Sequence, residues 1–455
     1  MDRAAIAAFA LAAVVGAARQ ASAGNEDGYA VGNEAAVVGG AVVAAIRDSS
    51  AVWYNPAGLA VLERDSLDGS ASVLVWRAYV LPRAVVATFP DGTEAPDASS
   101  SGVLSVPVSL SIARRLSPTL AIGAGLFVTR EDFLSGHAIM DRQGSVDGQP
   151  YHFALSFDLL EQAATYYAGA GVGWQPSEQW RVGVSLLAAY RSVVSFEGLA
   201  LSLASGATPP ALAASERKVT LNEYGIRPIA GAQWEPFGGW ELGVAVQSPL
   251  VVIAASRRAS GYDAASGTTL ATIDSHDGAP GAFDAVQPWR VHFGLAWRFP
   301  TGFVAVGVNH GFSLTDAAGK ALQAPVTNVQ LGGRAWLTPT FGLGAGLFTD
   351  RSAAPGAPTR SVLGQDDHIA TSGIDFVGVS AGAEYRRRYD VVQEEAHRGL
   401  EFSTTLSVRY AYGHGSIYGL ALAPFTQASP LQGDTIAVPA SVHEFQVHIG
   451  SALYF

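Results

Sequence analysis

Segments in which apolar side chains occupy every second position recur along this chain, and they constrain its fold more than any other feature. From Trp180 to Tyr190 one parity is apolar, whereas Arg181 and Arg191 lie on the other parity; residues 289–299 repeat the pattern. Because successive side chains of a strand face opposite sides, each segment predicts a β-strand with one apolar face. Aromatic residues bracket that face about ten residues apart, which matches a strand that crosses an outer membrane.

Fourteen such segments follow one another after residue 65. They begin near residues 70, 103, 118, 166, 179, 218, 239, 286, 302, 326, 340, 374, 400 and 442. Short turns are predicted at 116–119, 175–179, 235–239, 299–302 and 337–340, and long polar loops at 83–102, 132–161, 197–217, 257–285 and 353–371. Residues 386–399 are too long for a short turn and predict an ordered extension on the turn side.

This pattern predicts an all-β fold, a closed 14-stranded antiparallel transmembrane β-barrel over residues 66–455. A soluble β-sandwich also alternates, but it has no reason to place short turns on one side and long loops on the other. The chain ends at Phe455, with apolar residues at alternate positions before it. That ending resembles the C-terminal signal that bacterial outer-membrane barrels present to their assembly machinery; an ordinary last strand is the alternative.

The composition argues against several classes of function. The formal net charge is −11 and there is no basic block, so the chain is a poor match for nucleic-acid phosphates. The absence of cysteine excludes disulfides, thiol catalysis and thiolate metal sites. The ten histidines are scattered and lack ligand spacing. We therefore expect no metal site.

Residues 1–23 predict a secretory signal peptide. Arg3 precedes an uncharged apolar run over residues 4–18, and Ala21-Ser22-Ala23 forms a small-x-small cleavage site. An N-terminal membrane anchor is the alternative, but the run is short for a span of about 20 residues. An exported chain with barrel strands is expected in the bacterial outer membrane.

Residues 24–65 do not alternate, and they are rich in Ala, Gly and Val with few charges. The lumen of a barrel with fourteen strands is too wide for its own side chains to fill, a limit reached at about eight strands. We therefore expect residues 24–65 to form an N-terminal hatch, or plug, inside the barrel.

The stretch VGNEAAVVGGAVVAAIRDSSAVWYNPAGLAVLERDSL resembles the hatch of the long-chain fatty acid outer-membrane transporter family (FadL/TodX). It contains a small-residue stretch, an acidic-serine segment, aromatic residues and Asn-Pro-Ala-Gly, in the family's order. GLFTDRSAAPGAPTR, at 346–360, resembles a second family segment. The resemblance implies passive uptake of hydrophobic molecules without a cofactor or energy source, with long-chain fatty acids as the default ligand. In that family the ligand enters an apolar lumen pocket above the hatch and leaves sideways near a kinked third strand.

The hatch motif comprises Trp53, Tyr54, Asn55, Pro56, Ala57 and Gly58. We expect the two aromatic residues to anchor the plug against the barrel wall. The proline fixes its own φ and biases the preceding asparagine away from helix, and the glycine allows a backbone geometry that other residues resist. The alternative is an ordinary Asn-Pro turn with flanking aromatics, which many folds contain.

Gly123 and Gly125 in the third strand are candidates for the kink at a lateral opening, although glycines are common in barrel strands. An arginine in an apolar lumen would bind a fatty-acid carboxylate favourably. The carboxylate-binding candidates are Arg191, Arg227, Arg334 and Arg409, and Arg181, Arg290 and Arg298 also face the lumen by parity. Alternatively, these arginines pair with lumen acids such as Glu401 and Glu444.

Two other classes of protein remain as alternatives. A general or structural porin would lack hydrophobic specificity, but it would also lack an apolar plug such as residues 24–65. An outer-membrane phospholipase would use a His–Ser pair, and His414 and Ser416 share a strand face, but no asparagine follows to orient the histidine. We therefore expect no enzyme activity. The expected partners are hydrophobic small molecules, outer-membrane lipids and the barrel assembly machinery.

Overall fold

The computed structural model describes residues 28–89, 91–146, 148–205, 211–265, 268–276, 279–315, 321–354, 373–393, 396–422 and 433–455. The predicted signal peptide, residues 1–23, lies outside the described residues. The N-terminal elements are helices α1 (Asn33–Val37) and α2 (Ala51–Tyr54) and the 3₁₀-helix η1 (Pro56–Val61). None of the helices in the described part of the chain is long and apolar enough to span a membrane.

The strands follow in chain order. They are β1 (Ser66–Leu81), β2 (Val85–Phe89), β3 (Gly92–Glu94), β4 (Ala98–Ser117), β5 (Leu120–Val146), β6 (Gln149–Trp174), β7 (Trp180–Ser205), β8 (Ala211–Phe237), β9 (Trp240–Gln247), β10 (Leu250–Ala265), β11 (Thr268–Ser275), β12 (Ala285–Gln287), β13 (Arg290–Phe299), β14 (Gly302–Gly311), β15 (Leu314–Thr315), β16 (Ala321–Gln323), β17 (Val326–Thr338), β18 (Phe341–Asp350), β19 (Gly373–Gln393), β20 (Ala396–Leu422) and β21 (Gly433–Tyr454).

Fourteen of the described strands form a closed antiparallel barrel. The wall consists of β1, β4, β5, β6, β7, β8, β9, β13, β14, β17, β18, β19, β20 and β21, each hydrogen-bonded to the next. The sheet closes through β1, where Ser66 lies opposite Ala113 of β4 and Tyr454 of β21. The predicted all-β class, strand number and antiparallel order are confirmed. Closure joins the first strand to the last and removes the sheet edges.

The short turns lie where the sequence predicts them, but the prediction of long loops at 132–161 and 197–217 is wrong. There β5 and β6 pair as far as Val146 and Gln149, and β7 and β8 pair as far as Leu203 and Ala211. Side chains of β6 such as Phe153 remain buried on every second residue in this region. The backbone therefore satisfies its hydrogen bonds by cross-strand pairing and continues the wall as tall hairpins.

The other predicted long loops differ from one another. Residues 83–102 contain β2, β3 and the start of β4, and residues 257–285 contain much of β10 together with β11. In the predicted loop at 353–371, residues 355–371 lie outside the described residues. The extension predicted at 386–399 is ordered, because β19 and β20 pair down to Gln393 and Ala396.

Aromatic side chains form two bands on the outside of the wall. Near the short turns, Trp180 stacks on Trp234 with 5.5 Å between ring centroids. Towards the tall hairpins, Tyr190 lies 6.1 Å from Tyr166 and 5.1 Å from Tyr224. Exposed apolar side chains occupy the wall between the bands. This surface is that of a transmembrane barrel, with short turns on the periplasmic side and tall hairpins outside the cell.

Candidate functional site

Residues 28–62, here called the N-terminal segment, lie inside the barrel and contact most of its wall strands. Inward-facing glycines of these strands meet the segment at close range. They are Gly123, Gly173, Gly183, Gly231, Gly243, Gly294, Gly332, Gly344, Gly346, Gly382 and Gly450, and we call them the glycine ring. The segment is buried against them, together with apolar side chains of the wall.

The ring positions are occupied by glycine because the backbone of the N-terminal segment packs there directly against the wall. A Cβ atom added to Gly243 would lie 2.7 Å from the Cα of Ala44, and one added to Gly294 would lie 2.7 Å from the nitrogen of Ala44. Real Cβ atoms do not approach so closely, so a larger residue would push the segment away from the wall. The sequence carries this signal as glycines on the inward parity of successive strands, and only Gly123 of the ring was singled out from the sequence.

Asn55 joins the N-terminal segment to the wall. Its side-chain nitrogen donates to the carbonyl of Val43 at 2.9 Å and to the carbonyl of Ala232 on β8 at 3.2 Å. Its side-chain oxygen accepts from the Ala57 nitrogen at 3.2 Å and so caps η1, in which Pro56 is the first residue. The backbone of Asn55 is extended, as expected for a residue before proline.

Gly58 serves a different purpose from the one expected. Its φ is not positive, so backbone geometry does not require a glycine at this position. Instead, an added Cβ would lie 2.8 Å from the Ile46 side chain, so the glycine lets two parts of the segment touch. Trp53 contacts the wall as expected, since its ring lies 4.9 Å from Tyr167 and 6.3 Å from Phe127. The hydroxyl of Tyr54 accepts a hydrogen bond from the Val31 nitrogen within the segment.

A polar seam separates the N-terminal segment from β1 and β4. Ser49 donates from its hydroxyl to Asp68 of β1, and its hydroxyl lies 2.7 Å from that of Ser111 on β4. Asp48 lies next to this contact, and its carboxyl accepts from the Ser50 nitrogen at 2.9 Å. Burial, together with the negative charges of Asp68 and Glu34, raises the pKa of Asp48 to about 7.

Ion pairs fasten the segment on other sides. Arg334 of β17 donates to Glu34 of the segment at 2.8 Å and to Glu384 of β19 at 2.7 Å. Arg47 of the segment pairs with Glu241 of β9. Breaking such a pair leaves a buried charge without its counter-charge, so these contacts favour one position of the segment in the barrel.

The arginines proposed as carboxylate ligands have different environments. Arg191 pairs with Glu223 at 2.8 Å, and Arg334 is held by two acids. Arg227 donates to the hydroxyl of Tyr167 at 3.3 Å. Of the three further lumen candidates, Arg181 pairs with Glu235, Arg298 pairs with Glu241, and Arg290 is buried. The alternative of pairing with lumen acids therefore holds for several of them.

Arg409 is the exception. Its guanidinium lies 4.0 Å from the ring centroid of Phe348 and donates to the carbonyl of Gly28. Among the residues that the structure describes, no carboxylate lies within ion-pair distance of Arg409, and its buried Nε has no hydrogen-bond partner. This side chain can therefore offer further donors to a ligand.

Arg409 faces a small cavity between the N-terminal segment and the strands from β13 to β20. The volume of this cavity is about 60 Å³. Its lining combines aromatic and polar side chains: Tyr29, Trp53, Tyr54, His292, Asn309, Asn328, Gln330, Phe348, Thr349, Asp350, Ser380 and Arg409. A cavity known to hold benzene has a volume of about 150 Å³, so this cavity is smaller than one that accepts a single aromatic ring.

The barrel wall is interrupted between β4 and β5. These strands pair at Ser109 and Phe127 and again at Ser99 and His137, but residues 100–108 and 128–136 form no backbone pairs with each other. On the other side of β5, the register with β6 shifts between Val128 and Arg130. We call this interruption the β4–β5 gap.

The interruption lies further along the third wall strand than the glycines proposed for it. Gly123 and Gly125 pair regularly with Ala113 and Ser111 of β4. Gly123 instead leaves space for the N-terminal segment, because an added Cβ would lie 2.8 Å from the Val52 side chain. Sequence reasoning placed the irregularity at the glycines because it could not locate the bulge that begins after Phe127.

Tyr29 connects the cavity to the β4–β5 gap. Its side chain lines the cavity. Its backbone nitrogen donates to the carbonyl of Thr129 at 3.3 Å, and its hydroxyl donates to the carbonyl of Glu131 at 2.9 Å. Both carbonyls lie in the part of β5 that β4 does not reach. Tyr29 is buried.

The extracellular side is covered by the hairpin of β2 and β3, residues 85–94. Val85 and Phe89 are buried in an apolar cluster with the tall hairpins. The hairpin tip is fastened by Arg142 of β5, whose guanidinium lies 3.1 Å from Asp91 and 3.4 Å from Glu94. The same guanidinium lies 4.8 Å from the ring centroid of Phe89. The β2–β3 hairpin therefore lies across part of the barrel mouth as a lid.

Solved structures with a similar fold include a FadL homologue and two toluene transporters. A Pseudomonas aeruginosa FadL homologue is 14% identical, with a TM-score of 0.58 over 93% of this chain and 98% of that chain. The P. putida toluene transporter TodX is 15% identical, with a TM-score of 0.57 over 94% and 99%. The Ralstonia pickettii toluene transporter TbuX is 12% identical, with a TM-score of 0.51 over 95% and 99%. No protein-family model and no curated protein matches this chain significantly.

At these identities the likeness establishes fold. It extends over nearly the whole described chain and agrees with the resemblance found in residues 31–67. A closed barrel with an apolar exterior and two aromatic bands is also the form in which proteins cross the bacterial outer membrane. The chain is therefore an outer-membrane protein with the fold of the FadL/TodX channels.

Proposed function

We propose that this protein is a passive channel that takes up hydrophobic molecules and releases them sideways through the β4–β5 gap. This proposal rests on the location of Tyr29, which contacts both the cavity and the β4–β5 gap. It lines the cavity beside Arg409, and it also holds the carbonyls of Thr129 and Glu131 at the gap. Movement of one residue would therefore join the cavity to the membrane.

In this proposal the N-terminal segment is the hatch. It closes the route through the lumen to the periplasm, since the glycine ring lets it pack tightly against the wall. The free energy of a hydrophobic molecule falls when it leaves water for an apolar environment, so lateral release into the membrane needs no energy source. A straight path through the hatch would instead return the molecule to water.

Two features bear on the substrate. The resemblance of residues 31–67 implies long-chain fatty acids, whereas two of the structural neighbours are named as toluene transporters. The class common to both is a hydrophobic small molecule. We further propose that Arg409 binds the head group when that molecule is an acid, because this arginine has no carboxylate partner among the described residues.

The lateral route can be tested by closing the gap with a disulfide. Gly102 and Phe133 face each other across it, since a Cβ added to Gly102 would lie 3.3 Å from the Phe133 ring. The chain has no cysteine of its own, so within one molecule the pair Gly102→Cys and Phe133→Cys can form only the intended bond. Oxidation should stop uptake of radiolabelled oleate and toluene by whole cells, and a reductant should restore it.

The control is the pair Leu110→Cys and Leu126→Cys, which bridges the same two strands where they are already paired. Oxidation of this pair should leave uptake unchanged. Full uptake through the oxidised Gly102–Phe133 pair would refute the lateral route. Ion conductance in planar bilayers without uptake of either compound would instead identify a general porin.

A further inference from the structure

A groove lies on the lipid-facing side of the wall, near its periplasmic end. It encloses about 580 Å³. Its floor contains Ala124 of β5 and Ala170 of β6, which lie opposite each other in the sheet. Larger side chains rise on both sides, namely Ile112 of β4 and Leu186 of β7. The groove is thus produced by small residues on two strands between large residues on their neighbours.

One end of the groove carries a positive charge. Arg114 lines it, and its side chain is 72% exposed on the lipid-facing side of β4. The residue lies three positions before β4 ends at Ser117, so it stands at the periplasmic boundary of the membrane. A cation at this depth extends its head towards the interface, where phosphate groups are the abundant anions.

Asp65 accompanies this charge. Its carboxyl lies 3.7 Å from the Nε of Arg114, accepts a hydrogen bond from the Arg115 nitrogen at 2.7 Å, and remains 23% exposed. The groove end therefore presents a cation and an anion side by side. A zwitterionic head group with a phosphate and an ammonium matches this pair, whereas a free carboxylate would be repelled by Asp65.

We propose that this groove binds one phosphatidylethanolamine molecule of the periplasmic leaflet. One acyl chain lies over Ala124 and Ala170, the phosphate contacts Arg114, and the ammonium contacts Asp65. The site does not depend on the transport route, because it is on the outer surface of the wall and away from the lumen.

The test is retention of lipid by the full protein. Protein purified in mild detergent is incubated with mixed micelles of phosphatidylethanolamine and examined by native mass spectrometry. Wild-type protein should retain one molecule after detergent exchange. Arg114→Gln should lower the retained fraction about tenfold, since a charge-assisted contact to phosphate is lost. Ala170→Phe should lower it similarly by filling the groove.

Arg258→Gln is the matched control. Arg258 is likewise exposed, at 62%, and lies 3.5 Å from Asp274, but it belongs to the extracellular part of the molecule. Retention in this variant should equal that of the wild type. Equal retention in Arg114→Gln and wild type would overturn the proposal. Displacement of the bound lipid by equimolar oleate would also overturn it, because the site would then accept a single-chain acid.

Discussion

The side-chain amide of Asn55 lies 3.2 Å from the backbone carbonyl of Ala232 on β8, and this hydrogen bond ties the N-terminal segment to the barrel wall. Asn55 is completely buried. The same side chain bonds Val43 and caps η1 at Ala57. One residue thus holds two parts of the segment and one wall strand in a fixed arrangement.

Asn55→Ala should loosen the N-terminal segment. The substitution removes the hydrogen bonds to the carbonyls of Val43 and Ala232 and the cap at Ala57, and each lost bond costs about 0.5–1.5 kcal/mol. Hydrogen exchange over residues 28–62 should become faster, with the wall strands unchanged. Asn222→Ala is the control, because Asn222 accepts hydrogen bonds from Tyr190 and Ser192 on the outer surface. Equal exchange of the segment in both variants would contradict this role for Asn55.

A larger residue in the glycine ring should displace the segment and open the lumen. Gly294→Leu places side-chain atoms where Ala44 now lies, and the barrel has no room to absorb them. Planar bilayers with this variant should show larger ion conductance than those with wild type. Gly238→Leu should have no effect, since an added Cβ there would meet nothing within 4 Å. An unchanged conductance in Gly294→Leu would mean that the segment does not limit the passage of ions.

The stability of the N-terminal segment in its position inside the barrel should depend on pH through the carboxyl of Asp48. Its pKa is raised to about 7 by burial and by Asp68 and Glu34, although Arg334 also faces it. A carboxyl with a raised pKa favours the folded state while it is protonated, and this contribution is lost as pH rises through about 7.

Hydrogen exchange of residues 28–62 should therefore be slower at about pH 5 than at about pH 8, after correction for the intrinsic rate. Asp48→Asn removes the ionisable group and should flatten this dependence. Asp141→Asn, at an exposed position on β5, is the control and should keep the wild-type slope. The same slope in wild type and Asp48→Asn would assign the pH dependence to another group.

The lid formed by the β2–β3 hairpin should depend on Arg142. Arg142→Gln removes the ion pairs to Asp91 and Glu94 and the contact with the Phe89 ring. Because these groups are partly exposed, each pair contributes little, so the lid should open more often without detaching. Proteolysis between residues 82 and 97 should become faster. Equal cleavage rates in Arg142→Gln and wild type would show that the apolar contacts of Phe89 suffice.

Arg409 should distinguish acids from neutral hydrocarbons. Arg409→Gln removes the positive charge in the cavity while keeping a polar side chain of moderate size. Binding of oleate to the purified protein should weaken about tenfold, and binding of toluene should not change. Arg191→Gln is the control, since Arg191 already pairs with Glu223. Equal losses for oleate and toluene would indicate a packing role for Arg409.

The sequence alone determined the architecture of the wall. Alternation is a local property, because neighbouring side chains of any strand face opposite sides. It therefore gave the fourteen strands, the short turns and the outward aromatic bands before any contact was known. The hatch motif was also local, and Asn55 and Pro56 adopt the backbone that their dipeptide favours.

Only the tertiary structure decided where the barrel opens and which charges are paired. In the β4–β5 gap the two strands lose their pairing and regain it in the same register, while β5 shifts its register against β6 between Val128 and Arg130, and no sequence signature marks either change. Arg334 and Arg409 both lie at inward-facing positions of their strands. Arg334 pairs with Glu34 and Glu384, whereas Arg409 lies over the ring of Phe348. Such partners come from residues far apart in the chain, and closure of the barrel around its N-terminal segment brings them together.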